Sequence, residues 1–209
     1  MLLLVPAGGL FETPQHRSLA VTARIGVPVG SDHTPSEDAP NHKGVFMFYP
    51  DSFKITMPTD YEILIRRDFH APRQLVFDAF TKPELVRQWL LGPSGWTMPV
   101  CEIDLQVGGM YRYVWRKDGV KDMGIGGVFR EVVVPARLVA TEKFDDSWYP
   151  GEALDTTVFI EAGDITKLEL RVLYESKEAR DTASRSGMEH GMVAGYNRLE
   201  EMLQVRGRA

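Results

Sequence analysis

The stretch from Phe69 to Gly109, FHAPRQLVFDAFTKPELVRQWLLGPSGWTMPVCEIDLQVGG, constrains the fold more tightly than any other. Its breakers allow few chain paths. Tyr61 to Phe69 carries apolar residues at 61, 63, 65 and 69, the period of a half-buried strand. Ala71-Pro72 ends it, and proline suits the first turn of a helix, where no donor is lost. Leu75, Val76, Ala79 and Phe80 give that helix an apolar stripe. Thr81-Lys-Pro-Glu84 reads as a capping box opening a second short helix, with Leu85, Val86, Trp89 and Leu90 inward. Gly92-Pro93 stops it, Gly92 as a left-handed cap and Pro93 as a block to continuation.

The chain beyond Trp96 reads as strands, near 98–106, 109–117, 121–134, 137–145, 153–162 and 165–175. Gly108-Gly109, Lys117-Asp-Gly119, Pro135 and Ala162-Gly-Asp164 separate them. Such short connections favour antiparallel neighbours. Ser176 caps a closing helix predicted over 177–204, with Met188, Met192, Tyr196, Leu199 and Leu203 along one face. Gly191 and Gly195 cost that helix about 1 kcal/mol each against alanine, and close approach to another surface, or space beside the helix, is the expected return. The order is one strand, two short helices, six strands and a long helix, which periodicity alone reads as α+β.

Residues 1–57 differ. Gly8-Gly9, Pro28, Gly30, Pro35 and Pro40 interrupt them without a sustained period, and 31–43 is too polar to bury a core. The reading is a largely irregular N-terminal extension, a domain over 58–205 and a tail over 206–209. Val45 to Tyr49 could add an edge strand, and its self-pairing would support a homodimer. Met47 and Met57 leave open a later natural start, with the leading segment an artefact.

Three pieces, in order and spacing, carry a family resemblance. The first is Ala71-Pro-Arg73 with Leu75-Val-Phe77, Thr81, Pro83-Glu84 and Trp89. Asp104 with Gly108-Gly109 is the second, and Gly127 with the 131–141 segment the third. With the closing helix over 191–203, the chain resembles the START-like (SRPBCC) helix-grip superfamily across about 59–204. Within it, the similarity is to the branch named after the ATPase activator of the ninety-kilodalton heat-shock chaperone. The resemblance implies a curved antiparallel sheet wrapped around the C-terminal helix, with a ligand cavity between them. Gln106 departs from it, standing where relatives usually carry Arg. If that Arg holds an ion pair, a neutral hydrogen bond must replace it here.

Composition narrows the function. The 209 residues are 44% hydrophobic and 25% charged, ordinary for a globular protein. A net charge of −5 with no Lys/Arg block argues against nucleic-acid binding, which needs a basic surface against phosphates. No apolar run reaches the ~18 residues that span a bilayer, so membrane insertion is not expected. The short Met1-Leu-Leu-Leu-Val5 run lacks a basic leader, and a cytoplasmic location is the default. One cysteine, Cys101, in an apolar run is read as a small buried hydrophobe.

Tyr111, Tyr113 and Trp115 alternate, so they share one strand face. Together with Trp89, Trp96, Trp148, Met192 and Tyr196 they are the candidate lining of an apolar pocket, with core packing as the competing reading. Glu131 and Glu142 are the candidate polar elements, Glu142 sharing a face with Leu138, Ala140 and Phe144, with an exposed or salt-bridged glutamate on a twisted edge as the competing reading. Asp104 reads as a turn-fixing carboxylate. The Asp145-Asp146 pair reads as a solvated loop. Gly124-Ile-Gly126-Gly127 is not a nucleotide loop, because a strand rather than a helix follows.

Neither a metal site nor a cofactor is expected. His16, His33 and His42 lie in the irregular N-terminal region, His70 and His190 are isolated from acidic pairs at ligand spacing, and no Ser-His-Asp or Cys-His arrangement can be assembled. The leading expectation is a non-catalytic domain binding a small hydrophobic or amphipathic molecule. A cyclase- or dehydratase-type enzyme is the second, with Glu142 and Tyr111 or Tyr113 as acid and base. A chaperone partner, implied only by the branch's name, is the third.

Overall fold

The computed structural model describes residues 52–92 and 94–207. Its strands are β1 (Lys54–Thr56), β2 (Glu62–Phe69), β3 (Thr97–Ile103), β4 (Met110–Arg116), β5 (Met123–Val133), β6 (Arg137–Phe144), β7 (Ala153–Ala162) and β8 (Ile165–Leu173). Its helices are α1 (Arg73–Thr81), α2 (Pro83–Trp89), α3 (Lys177–Ser184) and α4 (Met188–Arg206). One eight-stranded sheet runs β1-β2-β8-β7-β6-β5-β4-β3. Every pairing is antiparallel. The two short helices fill the crossover between β2 and β3, at opposite ends of this order save for β1. The fold is α+β, as periodicity predicts, and helix-grip, as the resemblance implies.

Three local readings are corrected. Thr81 does not cap α2; it is the last residue of α1, and its hydroxyl donates back to the Phe77 carbonyl at 2.8 Å. Extended Lys82 is the N-cap, and Pro83 takes the first helical position. The α2 helix also ends at Trp89, ahead of Gly92; Pro93 lies outside the described residues.

The closing helix is two helices. Ser176 caps α3, accepting from the Ala179 N–H at 3.1 Å. The Ser184 and Ser186 hydroxyls then donate to the Asp181 and Ala183 carbonyls, competing with helix continuation. Gly187, at φ +78°, turns the chain into α4. At the other end of the domain, β1 pairs with β2 through Ile55↔Ile65, so the sheet starts within the segment read as an extension. The expected Val45 edge strand lies outside the described residues.

The Asp104 turn forms somewhat differently from expectation. Backbone carbonyls hold it: Gln106 N–H donates to Asp104 O, and Gly109 N–H to Gln106 O, both at 2.9 Å. The Asp104 carboxylate instead accepts from the Gln106 side-chain amide at 2.9 Å.

The sheet bends through β5. Its pairing with β6 shifts register between Phe129 and Glu131, and Val128 N–H donates to the Thr141 hydroxyl. Backbone packs tightly at the bend: a Cβ on Gly127 would stand 1.8 Å from the Thr141 carbonyl oxygen and 2.8 Å from the Tyr111 ring. Gly195 on α4 is different, since a Cβ there would meet Trp89 atoms at 3.7 and 3.9 Å, ordinary contact distances. The close approach expected of Gly195 leaves room for a methyl group. The two glycines therefore predict opposite outcomes by urea unfolding. Gly127→Ala should destabilise by about 3 kcal/mol or more, whereas Gly195→Ala should stabilise by up to about 1 kcal/mol. A stable Gly127→Ala protein would contradict the tight bend.

Candidate functional site

Alternation along each strand builds the concave face. It carries Tyr111, Tyr113 and Trp115 from β4, and Leu138, Ala140, Glu142 and Phe144 from β6. Adjacent β7 gives Ala153, Asp155, Thr157 and Phe159, and β8 gives Leu168, Leu170 and Val172. All are buried in the core with Met188, Met192, Tyr196, Leu199 and Leu203 of α4.

The candidate residues fall into two groups. Trp89 and Tyr196 lie together at 5.9 Å between ring centroids, and Tyr196 also meets Phe69 at 5.6 Å and Phe80 at 6.3 Å. The Trp89 indole N–H donates to the Ala79 carbonyl at 2.9 Å, and that of Trp115 to Leu90 at 2.7 Å. Both donors are committed to holding helices in place. The second group surrounds Glu142. Tyr111 packs on Tyr113 at 5.3 Å and gives its hydroxyl proton to the Thr141 carbonyl at 2.9 Å. Half-buried Trp148 lies on Phe144 at 4.4 Å and edge-on to Tyr149 at 5.9 Å. Trp96 and Met192 are buried elsewhere in the same core.

Glu142 is fully buried, at 0% exposure. Glu131 is not part of this interior: it is half-exposed and paired with Arg137 at 3.1 Å. The outer face also takes the Arg112–Asp145 and Arg116–Asp122 pairs, each at 2.6 Å, and Lys121–Asp146 at 2.6 Å joins the loop.

Asp155, Thr157, Tyr174 and Arg67, which sequence reasoning passed over, join Tyr149 in the polar interior. Asp155, 1% exposed, pairs across from Ala140, while Glu142 pairs across from Ala153. The two carboxyl-bearing residues are thus diagonal neighbours on one face. Tyr149 and Tyr174 pack edge-to-face at 5.2 Å. Among the described residues, the hydroxyls of Tyr149, Thr157, Tyr174 and Tyr196 and the Trp148 indole nitrogen are buried with no hydrogen-bond partner. Arg67, on β2, is buried too, with Nη2 donating to Asn197 at 3.1 Å. The available signal was alternation: Asp155 and Thr157 continue the Ala153–Phe159 face, and Arg67 occupies the gap in the 61, 63, 65, 69 pattern.

Electrostatics follow from this burial. Burial raises the Tyr111, Tyr149 and Tyr174 phenol pKa values, with Glu142 and Asp155 adding to the shift. Burial likewise raises Tyr113 and Tyr196; Arg67 partly opposes the latter. Burial also pushes the Cys101 thiol up to about 11 against the pull of Arg87, leaving it a poor nucleophile near neutral pH. Among the described residues, no group of three or more metal-ligating side chains forms, and no helix is long and apolar enough to cross a membrane. His16, His33 and His42 lie outside the described residues.

Residues 70–204 match the family described as activator of Hsp90 ATPase homolog 1-like protein. The chain belongs to this family. A crystal structure of a Rhodobacter sphaeroides protein is 30% identical, with TM-score 0.70, covering 74% of this chain and 99% of that one. A solution structure from Staphylococcus epidermidis is 25% identical with TM-score 0.62, covering 73% and 94%. A crystal structure from Nitrosomonas europaea, at 23% identity and TM-score 0.62, covers 72% and 99% and is similar in fold. None of the curated proteins matches the chain.

The buried phenols make a pH prediction for this family member. Their folded pKa values lie above the value near 10 of an unfolded tyrosine. Below about pH 10 both states hold the protons and the contribution to stability is intact. Above it the unfolded chain loses protons first, so stability falls as pH rises. Tyrosinate absorbance should therefore include a late component that appears together with loss of near-ultraviolet circular dichroism. Smooth ionisation of all seven tyrosines in a still-folded protein would contradict it.

Proposed function

We propose that this chain binds a small hydrophobic or amphipathic molecule between the concave face and α4. The observation that carries this reading is the set of buried, unpartnered polar atoms at Trp148, Tyr149, Thr157, Tyr174 and Tyr196. Leaving a buried donor unsatisfied costs about 1–3 kcal/mol. A ligand with an apolar body and a few polar atoms would satisfy them while filling aromatic surface, the usual composition of a small-molecule site. Tyr149, Thr157, Tyr174, Trp148 and Tyr196, with Glu142 and Asp155, would contact it. Trp89 and Trp115, whose donors hold helices, would shape the site from behind.

Acid/base catalysis is less well supported. The Tyr111 hydroxyl is committed to Thr141, and its raised pKa keeps it protonated at neutral pH. Native mass spectrometry of protein purified without denaturation tests the binding reading. A small noncovalent adduct should be present and should weaken when Tyr149 and Tyr174 are both replaced by phenylalanine. Absence of any adduct, together with no thermal shift across a panel of amphipathic molecules, would overturn it.

The family description supports a second reading, stimulation of a chaperone ATPase. It would act through the outer surface and is compatible with a ligand inside. Adding the purified chain to the Hsp90-type chaperone should then raise ATP turnover, and an unchanged rate at saturating chain would exclude it.

A further inference from the structure

We propose that the loop joining β6 to β7, residues 145–152, is a cover that opens by itself while the sheet beneath stays paired. As the entrance to the interior it rests on the binding reading above; as a motion of the chain it stands without that reading.

The loop is held at its two ends and little between them. Asp145 N–H donates to the Gly124 carbonyl at 2.9 Å, and its carboxylate accepts from Arg112 Nη1 at 2.8 Å. At the far end Glu152 N–H donates to the Glu175 carboxylate at 3.0 Å. Among the described residues, no backbone–backbone hydrogen bond ties 146–151 to the sheet. The Ser147 hydroxyl donates within the loop, to the Tyr149 carbonyl at 2.6 Å, and both members of the Lys121–Asp146 pair are exposed. Segments with so few backbone bonds lie at the low end of local stability.

Aromatic packing closes the loop. Trp148 lies on Phe144 at 4.4 Å, and Tyr149 inserts edge-on against Tyr174 at 5.2 Å. The closed position leaves three polar atoms at this contact buried without partners: the Trp148 indole nitrogen and the Tyr149 and Tyr174 hydroxyls. Burying a donor unmatched is unfavourable, and lifting the loop returns all three to water. Apolar burial therefore draws these rings in while polar desolvation pushes them out, and few backbone bonds decide the balance. An open state close in free energy to the closed one follows.

Gly151 supplies the bend. It stands at φ +86°, and a Cβ there would run into the Glu175 carboxylate that latches the next residue. Withdrawing Trp148 and Tyr149 vacates the volume between Phe144 and Tyr174, which gives an apolar body its way in. Tyr196 offers a contrast. Its hydroxyl is also buried and unpartnered, but the ring packs with Trp89, Phe69 and Phe80, away from the loop.

Amide hydrogen exchange of the ligand-free chain, followed by NMR at rising low urea concentrations, tests the motion. The Glu152 amide should exchange through an opening insensitive to urea, because little surface is exposed, and amides at the centre of β7 through a urea-sensitive one. Tyr149→Phe should slow Glu152 exchange by about fivefold or more, since the closed loop then buries one unmatched hydroxyl fewer. Tyr196→Phe should slow the β7 amides and leave Glu152 unchanged. Exchange of Glu152 in step with β7 in the unaltered chain overturns the proposal even if a variant fails to fold, and so does unslowed exchange in Tyr149→Phe. The entrance is tested by stopped-flow association of the neutral dye Nile red, which Glu175→Ala should speed by about threefold or more as the latch is lost. Equal association rates, or no association, overturn the entrance. Absence of any native adduct instead removes the binding reading and leaves the measured opening standing.

Discussion

Three successive carbonyls at the end of α2 hold the grip together. Trp89 O accepts from Arg198 Nε at 3.1 Å, Leu90 O from the Trp115 indole at 2.7 Å, and Leu91 O from Arg198 Nη2. Those donors come from α4 and from β4. The end of a seven-residue helix is thereby tied both to the closing helix and to the sheet. Arg198 also brings positive charge to the negative end of α2. Burial lowers its pKa, yet a guanidinium remains charged at any physiological pH. Without this tie α2 has too few turns to persist alone, and the aromatic packing of Trp89 against Tyr196 would lose its backing.

Much of this architecture was legible because it depends on local chemistry. Pro72 and Pro83 each mark a helix start, Ser176 caps α3, and alternation in β4 to β8 sets which side chains turn inward. The errors arose where one residue had two local options. Thr81 can cap the next helix or bond back into its own, and extended Lys82 makes the second geometry available. Ser184, Ser186 and Gly187 sit within an otherwise continuous apolar period, so only their combined backbone bonding reveals the break.

The site was legible to a lesser degree, for a reason tied to distance along the chain. Alternation showed that Tyr111, Tyr113 and Trp115 share a face and that Glu142 looks the same way as Phe144. It could not show that Trp115 reaches Leu90, or that Tyr111 reaches Thr141, because those partners are set by sheet curvature. The same limit hid Asp155. Its inward position on β7 follows from period two, but its significance comes from the β6 register, which puts it diagonal to Glu142. Tyr149 and Tyr174 meet only because the loop after β6 folds back over the end of β8.

Sheet curvature and interior polarity are therefore linked. The close packing at Gly127 lets β4 approach β6 nearly backbone to ring, bringing Tyr111 to the Thr141 carbonyl beside Glu142. A flatter sheet would set the strands' inner faces further from α4 and admit solvent to the carboxyl groups. With solvent excluded, each polar atom matters more, since hydrogen bonds and charges act through a lower dielectric. A helix-grip fold supplies such an enclosure whatever lines it. On this face β6 and β7 carry Glu142, Asp155 and Thr157 among apolar inward residues. Burying such groups is costly unless they are hydrogen-bonded or paired, so these three positions depend most on the enclosure that the bent sheet maintains.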